Sequence, residues 1–165
     1  MQRASDGEEI SVDEASVTIG AAPEKVWALV TDITRMGEWS PENTGGKWTG
    51  GATGPALGAR FVGSNAYRWV RWRTHCRVVE CTAPERFAFT VAENGMTWGW
   101  RLEPDGPDGT STRLTQWRDR TTPPNVLVRA LVATGLLGKD RERMMVEGMR
   151  RTLDAVKAHA ERVPA

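Results

Sequence analysis

Apolar and polar residues alternate along most of the chain, and this period of two predicts β-strands. Ser16–Ile19 alternates in this way, and a short strand at Lys47–Thr49 interrupts a glycine-rich loop from Ser40 to Gly58. Five further strand-like runs are separated by turn-forming residues: Arg60–Ser64, Val70–Thr82, Arg86–Ala92, Thr97–Glu103 and Ser111–Arg118. This regular spacing predicts an antiparallel meander.

A helical period appears near the start of the chain. Pro23 suits a first helical position, and Val26, Val30 and Ile33 recur at helical spacing. These residues predict a first helix from Pro23 to Met36, with Gly37 ending it in a left-handed conformation.

Two more helices are predicted in the last third. An apolar segment predicts a short helix over Asn125–Thr134, followed by a break at Gly135–Gly138. From Lys139 to Arg162, apolar or small residues recur three or four apart, which predicts a long amphipathic helix of about 36 Å. These residues are Met145, Met149, Thr152, Val156 and Ala160.

The order of elements predicts an α+β fold in which an antiparallel sheet buries its apolar face against the last helix. Residues 1–14 are rich in acidic side chains and lack an apolar pattern. They predict a disordered acidic leader, followed by one domain over residues 15–163.

Charge and hydropathy narrow the class of function. The 22 basic and 21 acidic residues leave a formal net charge of +1, so no global field attracts nucleic acid or an anionic membrane. The longest stretch without charge or proline, Ala130–Gly138, is too short to span a bilayer. Met1–Ile10 is acidic and lacks the apolar core of a signal peptide. We expect a soluble cytoplasmic protein that neither binds nucleic acid nor inserts into a membrane.

The cysteine and histidine content argues against a disulfide or a metal site. Cys76 and Cys81 lie in one predicted strand, on opposite faces and roughly 16 Å apart, beyond the reach of a disulfide. His75 and His159 are the two histidines of the chain, and no zinc-type spacing exists. The prediction is two free thiols, no metal and no cofactor.

Several short motifs together resemble the SRPBCC superfamily, also called START-like or Bet v 1-like, and within it the actinobacterial polyketide cyclase/dehydrase-like branch. The resemblance extends from Ala15 to Glu161. The motifs are APEKVWALVTD at Ala22–Asp32, EWSPE at Glu38–Glu42, GPALGARF at Gly54–Phe61, CRVVE at Cys76–Glu80, RFAF at Arg86–Phe89 and MMVEGMRRTL at Met144–Leu153.

The resemblance implies a helix-grip fold, in which a curved antiparallel sheet wraps a long C-terminal helix and encloses an apolar cavity. It does not imply one activity, because this fold is shared by lipid carriers, ligand binders, aromatases and cyclases. It also implies that Trp39 and Glu42, just after the first helix, border the cavity.

Strand parity assigns the residues of the predicted Val70–Thr82 strand to two faces. Arg71, Arg73, His75 and Arg77 share one face, which we expect to be solvated. Trp72, Thr74 and Cys76 share the other, where they either line the cavity or pack in the core.

Aromatic residues supply further candidates for the cavity wall, since the chain has eight tryptophans against one tyrosine and three phenylalanines. Two tryptophans in register can sandwich a planar ligand, but they can equally fill a large core. On the last strand, two interpretations remain open, because each face carries one apolar residue; an inward Leu114 would bring Gln116 and Arg118 with it. A buried arginine would then need a partner, for which Asp119 and Asp32 are candidates. The remaining cavity candidates are Phe61, Phe89, Trp98, Trp100, Met145 and Met149.

No catalytic set emerges, because the chain shows no assured acid–base pair, nucleophile or phosphate-binding loop. The leading hypothesis is therefore the binding of a small hydrophobic or aromatic molecule, such as a lipid, a quinone or a polyketide-like ring system. The alternative is an aromatase or cyclase-like enzyme in which Glu42, Thr74, Gln116 and Arg118 assist proton transfer. An edge strand is able to pair across a homodimer, but nothing in the sequence selects a dimer over a monomer.

Overall fold

The computed structural model describes residues 13–120 and 139–162, which form an open antiparallel sheet and two α-helices. The sheet order is β1-β7-β6-β5-β4-β3-β2, with β1 and β2 at the edges. The strands are β1 (Asp13–Ile19), β2 (Asn43–Thr49), β3 (Arg60–Tyr67), β4 (Val70–Thr82), β5 (Arg86–Val91), β6 (Met96–Asp105) and β7 (Ser111–Arg120). From β2 to β7 each strand pairs with the next one in sequence, which confirms the predicted meander.

The long C-terminal helix α2 spans Lys139–Arg162, as its apolar period predicts. Its buried face carries Met149, Thr152, Val156 and Ala160, and the helix packs against β1 and β7. A curved seven-stranded sheet closed by one long helix is the helix-grip α+β fold. Among the described residues, no helix has both the length and the apolar character needed to cross a membrane.

The first helix is shorter than its hydrophobic period predicts. Helix α1 spans Pro23–Val30, and a 3-10 helix follows at Ile33–Glu38. The Thr31 hydroxyl donates to Trp27 O at 2.8 Å, and the Asp32 carboxylate accepts from Thr34 N at 3.1 Å. Because the Asp32 carboxylate accepts from the Thr34 amide, which in a continued helix would donate to a backbone carbonyl, the chain turns at Thr31–Asp32.

Gly37 does not take the left-handed conformation that the sequence predicts. It lies inside the 3-10 helix, where an added Cβ would sit 2.7 Å from the backbone carbon of Thr44. Its role is to allow β2 to pass close to the 3-10 helix. The strand β2 begins at Asn43, four residues before the predicted Lys47.

Strands β1 and β3 have boundaries that differ from the prediction. Strand β1 begins at Asp13, two residues inside the predicted leader, because Asp13 pairs with Arg118 on β7. Strand β3 continues from the predicted end at Ser64 to Tyr67. Residues 1–12, the predicted helix Asn125–Thr134, the break at Gly135–Gly138 and residue 163 lie outside the described residues.

A β-bulge between Val78 and Glu80 corrects the predicted placement of the cysteines. The extra residue reverses the parity of the end of β4. Cys81 therefore pairs with the buried Phe87 and packs against the core, on the same face as Cys76. Both thiols are free, as predicted.

Gly99 on β6 pairs with Trp117 on β7, and an added Cβ would overlap the Trp117 indole. We expect Gly99→Ala to lower the free energy of unfolding by about 1–3 kcal/mol, because the indole must leave its place on the sheet. Urea denaturation of the two single variants and of Gly99→Ala/Trp117→Ala checks this result. The substitution should be nearly neutral when Trp117 is already alanine, and an equal loss in both backgrounds would contradict the explanation.

Candidate functional site

A cavity of about 490 Å³ lies between the concave face of the sheet and the N-terminal half of α2. The helix borders it from Met144 to Thr152, whereas Leu153, Val156 and Ala160 farther along belong to the hydrophobic core. The C-terminal half of α2 thus anchors the helix to the sheet, and the N-terminal half forms one wall of the cavity. The segment from Ser40 to Asn43 borders it as well.

Most of the residues predicted for the cavity do line it. They come from the segment after the 3-10 helix, from five strands and from α2. They are Glu42, Phe61, Trp72, Thr74, Cys76, Phe89, Trp98, Trp100, Gln116, Met145 and Met149. The outward residues of β4 are exposed, as strand parity predicts: Arg71, Arg73, His75 and Arg77.

Three predicted residues do not line the cavity. Trp39 is 5% exposed and packs in the core, with its ring centroid 5.9 Å from that of His159. Leu114 is fully buried in the core, which decides the open question about β7 in favour of an inward Leu114 face.

Arg118 shares the inward face of β7 with Leu114 but is held by a partner that the sequence did not suggest. Its Nε donates to Asp13 Oδ2 at 2.7 Å, and its guanidinium lies 5.9 Å from the Trp98 ring centroid. Asp13, rather than Asp119 or Asp32, is therefore the carboxylate that balances this charge.

Aromatic side chains form the inner wall of the cavity. Phe61 and Phe89 pack edge to face with ring centroids 5.0 Å apart, and Trp98 pairs with Phe89 across β5 and β6. Trp100 is 4% exposed and belongs to both the core and the lining. The two tryptophans therefore differ in exposure, since Trp98 is half-buried whereas Trp100 is almost fully buried.

A chain of hydrogen bonds lies along β2, β3 and β4 at one side of the cavity. Asn43 Nδ2 donates to Asn65 Oδ1 at 3.4 Å, and Asn65 Nδ2 donates to Thr74 Oγ1 at 3.3 Å. Cys76 Sγ is the donor in a weak contact to Thr74 Oγ1 at 3.9 Å. Because Thr74 Oγ1 accepts in both contacts, its own proton can be donated to an acceptor in the cavity.

Gly63 makes room for the Thr74 hydroxyl. An added Cβ at Gly63 would lie 2.8 Å from Thr74 Oγ1, closer than real Cβ contacts allow. The pairing of Gly63 with Thr74 across β3 and β4 thus keeps the hydroxyl in the cavity wall.

Gln116 presents the one buried side-chain polar atom of the described residues that has no hydrogen-bond partner, its Oε1. The residue lies on β7, paired with Trp100 on one side and Ala15 on the other, and it lines the cavity. An unsatisfied buried acceptor typically costs about 1–3 kcal/mol of stability. A ligand that donates a hydrogen bond to Gln116 would offset this penalty.

The Cys76 thiol is not an activated nucleophile. Burial is the main cause that raises its pKa to about 12, with a smaller contribution from the Glu93 carboxylate. The thiol is therefore neutral at pH 7 and behaves as a small apolar part of the wall. The other titratable groups of the described lining are Glu42, Tyr67, Glu147 and Arg151.

The cavity opens to solvent between α2 and the end of the β3–β4 hairpin, a region we call the mouth. Tyr67, Trp72 and Met144 both line the cavity and are exposed. Glu147 and Arg151 on α2 also border it and are joined by an ion pair of 3.4 Å.

Sequence reasoning missed several lining residues for identifiable reasons. Asn65 and Tyr67 continue the period of two that starts at Phe61, and would have been found had β3 been predicted to its full length. Gly63 lies within the predicted strand, but it has no side chain to indicate a cavity wall. Met36, Ser40 and Asn43 lie in or after the 3-10 helix, where no simple period indicates direction.

Almost all of the described residues fall within the match to one protein family. A family profile described as polyketide cyclase / dehydrase and lipid transport matches residues 12–161. The chain belongs to this family. The matched residues include both the sheet and α2, so all the described residues that line the cavity lie within the matched region.

Solved structures agree with the family assignment. The Polyketide_cyc-like protein Cgl2372 from Corynebacterium glutamicum is 29% identical, with a TM-score of 0.64 over 92% of this chain and 93% of that chain. A START superfamily protein from Mycobacterium smegmatis is 15% identical, with a TM-score of 0.68 over 92% and 97%. This second likeness shows the fold alone. The fold is thus START-like. A search of curated proteins found no match.

A di-domain aromatase/cyclase, StfQ of the steffimycin biosynthetic pathway, is also similar in fold. It is 15% identical, with a TM-score of 0.61, and the match covers 90% of this chain and 44% of that chain. The shared fold leaves the activity of the present chain to be argued from its own cavity.

Proposed function

We propose that this protein binds a small apolar molecule with a planar aromatic part and at least one hydroxyl or amine group. The observation that carries the proposal is the cavity of about 490 Å³ between the sheet and α2. This volume falls within the range of about 300–1,000 Å³ that is usual for small-molecule sites. The family description, which includes lipid transport, supports a binding role.

The aromatic part of the ligand is inferred from the inner wall. Phe61, Phe89 and Trp98 line the cavity, and aromatic rings gain energy beyond area burial when they pair with another aromatic ring in a stacked or edge-to-face arrangement. Met145 and Met149 on α2 close the opposite wall with adaptable thioethers.

The polar groups of the ligand are inferred from two atoms of the wall. The Gln116 Oε1 atom requires a donor, and the Thr74 hydroxyl is able to donate to an acceptor. A phenol-like hydroxyl satisfies either site, because it donates one hydrogen bond and accepts others. A purely hydrocarbon ligand would leave Gln116 unsatisfied.

Native mass spectrometry of freshly purified protein, followed by denaturation and extraction into organic solvent, tests the proposal. We expect a retained molecule that absorbs as an aromatic compound and carries a hydroxyl or amine. A fluorescence titration with naphthol provides a second measurement that does not depend on co-purification. The absence of both a retained molecule and saturable naphthol binding would overturn the proposal.

A cyclase-like enzyme is the second candidate, because the Glu42 carboxylate shares the cavity with the Thr74 hydroxyl and Gln116. A carboxylate at the wall of an apolar site can accept a proton from a bound, hydroxylated substrate. Arg118, which the sequence also suggested for proton transfer, is not among these residues, because its guanidinium is bound by Asp13. The enzyme hypothesis predicts a time-dependent change in the mass of the bound molecule that Glu42→Gln abolishes while binding persists.

A further inference from the structure

The tip of the β3–β4 hairpin is an exposed surface that ligand binding inside the cavity does not explain. We define the hairpin tip as Tyr67, Arg68, Trp69, Val70, Arg71 and Arg73. The Trp69 side chain is 83% exposed and that of Val70 is 51% exposed. Large apolar side chains exposed next to one another mark an interaction surface.

The charges of the hairpin tip are all positive. The cross-strand partners of Arg71 and Arg73 are Ala66 and Ser64, so no carboxylate lies opposite either arginine. Among the described residues, no ion pair joins a carboxylate to an arginine of the tip. Arg68 instead lies over the Tyr67 ring, 5.6 Å from its centroid. The hairpin tip is therefore a local basic patch, although the net charge of the whole chain is only +1.

The hairpin tip adjoins the mouth of the cavity. Tyr67 belongs to both, and Met144 on α2 borders the same mouth with 53% of its surface exposed. An apolar ligand that leaves through this mouth enters water unless the mouth lies against an apolar phase. The hairpin tip is therefore well placed to hold the mouth against such a phase.

We propose that the hairpin tip docks the protein reversibly onto a bilayer containing anionic phospholipids, with Trp69 at the interface and the arginines against the headgroups. Tryptophan is favoured at membrane interfaces, and arginine is attracted to anionic headgroups. Tip-to-tip pairing of two copies is disfavoured, because it would bring like charges together. The purpose of docking rests on the proposed function, namely the transfer of an apolar ligand between the cavity and the bilayer.

Vesicle co-sedimentation with the full chain tests the docking surface. We expect binding to vesicles of phosphatidylcholine plus phosphatidylglycerol, weak binding to phosphatidylcholine alone, and a loss of binding as ionic strength rises. Arg71→Gln/Arg73→Gln should weaken binding about 25-fold, since each basic residue near an anionic surface contributes about fivefold. Trp69→Ser should weaken it roughly tenfold, because its apolar surface no longer enters the interface.

Two matched variants control for general effects of charge and hydropathy. Arg113→Gln/Arg162→Gln removes the same charge from exposed positions outside the hairpin tip. Leu57→Ser removes a side chain that is 71% exposed in the loop between β2 and β3, at the other end of β3. Both controls should bind vesicles as the wild type does.

Three outcomes would overturn the proposal. They are an absence of binding to either type of vesicle, an equal loss of binding in the control variants, and self-association or capture by an acidic protein that depends on Trp69 without vesicle binding. Naphthol binding is measured without vesicles, so failure of the docking surface and failure of the proposed ligand site are distinguishable.

Discussion

Replacement of Gly148 by leucine is expected to lower the affinity for a cavity ligand by roughly a hundredfold while raising the stability of the protein. Gly148 lies within α2 and lines the cavity, and the atom nearest to an added Cβ is Pro41 Cγ at 3.7 Å. A leucine side chain would extend into the space between α2 and Pro41, both of which border the cavity. Overfilling a site costs up to about 3 kcal/mol, which corresponds to about a hundredfold in affinity.

The gain in stability has a separate cause in the backbone. Glycine within a helix is less favourable than alanine by about 0.8–1.0 kcal/mol, and leucine is nearly as good a helix former as alanine. The Gly148→Ala variant should share this gain, because its Cβ would make only an ordinary contact with Pro41. It should keep most of the affinity and so serves as the matched control.

Fluorescence titration with naphthol and urea denaturation of the three proteins measure the two effects separately. A Gly148→Leu variant that binds naphthol as tightly as the wild type would show that the site lies elsewhere. A loss of affinity accompanied by a large loss of stability would instead indicate that leucine disrupts the packing of α2.

The period of two predicted the cavity wall well wherever the strands are regular. Trp72, Thr74 and Cys76 line the cavity because β4 alternates without interruption up to Val78. The same rule misplaced Cys81, since a bulge adds one residue at Val78–Glu80 and reverses all later positions. The stretch contains no turn-forming residue that would indicate a bulge. The position of the bulge depends on the pairing with β5, so it could not be predicted from the period alone.

Predictions that depend on a partner distant in sequence failed more often. The ion pair of Arg118 with Asp13 joins β7 to its neighbour β1, strands that are adjacent in the sheet but far apart in sequence, and nothing near Arg118 in the sequence indicates which carboxylate it meets. The division of α1 from the 3-10 helix has a local cause instead, because it follows from side-chain bonds at Thr31 and Asp32 that the apolar period does not indicate. The apolar period instead continues through Ile33, which is buried in spite of the break.

Substitution of Gln116 tests whether this residue binds the ligand or only packs in the protein. Its Oε1 is buried without a partner, so Gln116→Leu should raise the free energy of unfolding by about 1–3 kcal/mol. The same change should lower the affinity for naphthol roughly tenfold to a hundredfold, because the ligand hydroxyl loses its acceptor. The affinity for naphthalene, which has no hydroxyl, should not fall.

Thr115 is the matched control on the same strand, because it is fully buried on the opposite face and its Oγ1 lies 2.8 Å from Ser16 Oγ. Thr115→Val should lower the free energy of unfolding by about 1 kcal/mol, since a satisfied hydrogen bond is lost, and should leave naphthol binding unchanged. The two variants thus shift stability in opposite directions, and only one of them changes ligand affinity. If Gln116→Leu destabilises the protein and leaves the preference for naphthol over naphthalene intact, Gln116 is a structural residue and the ligand needs no hydroxyl.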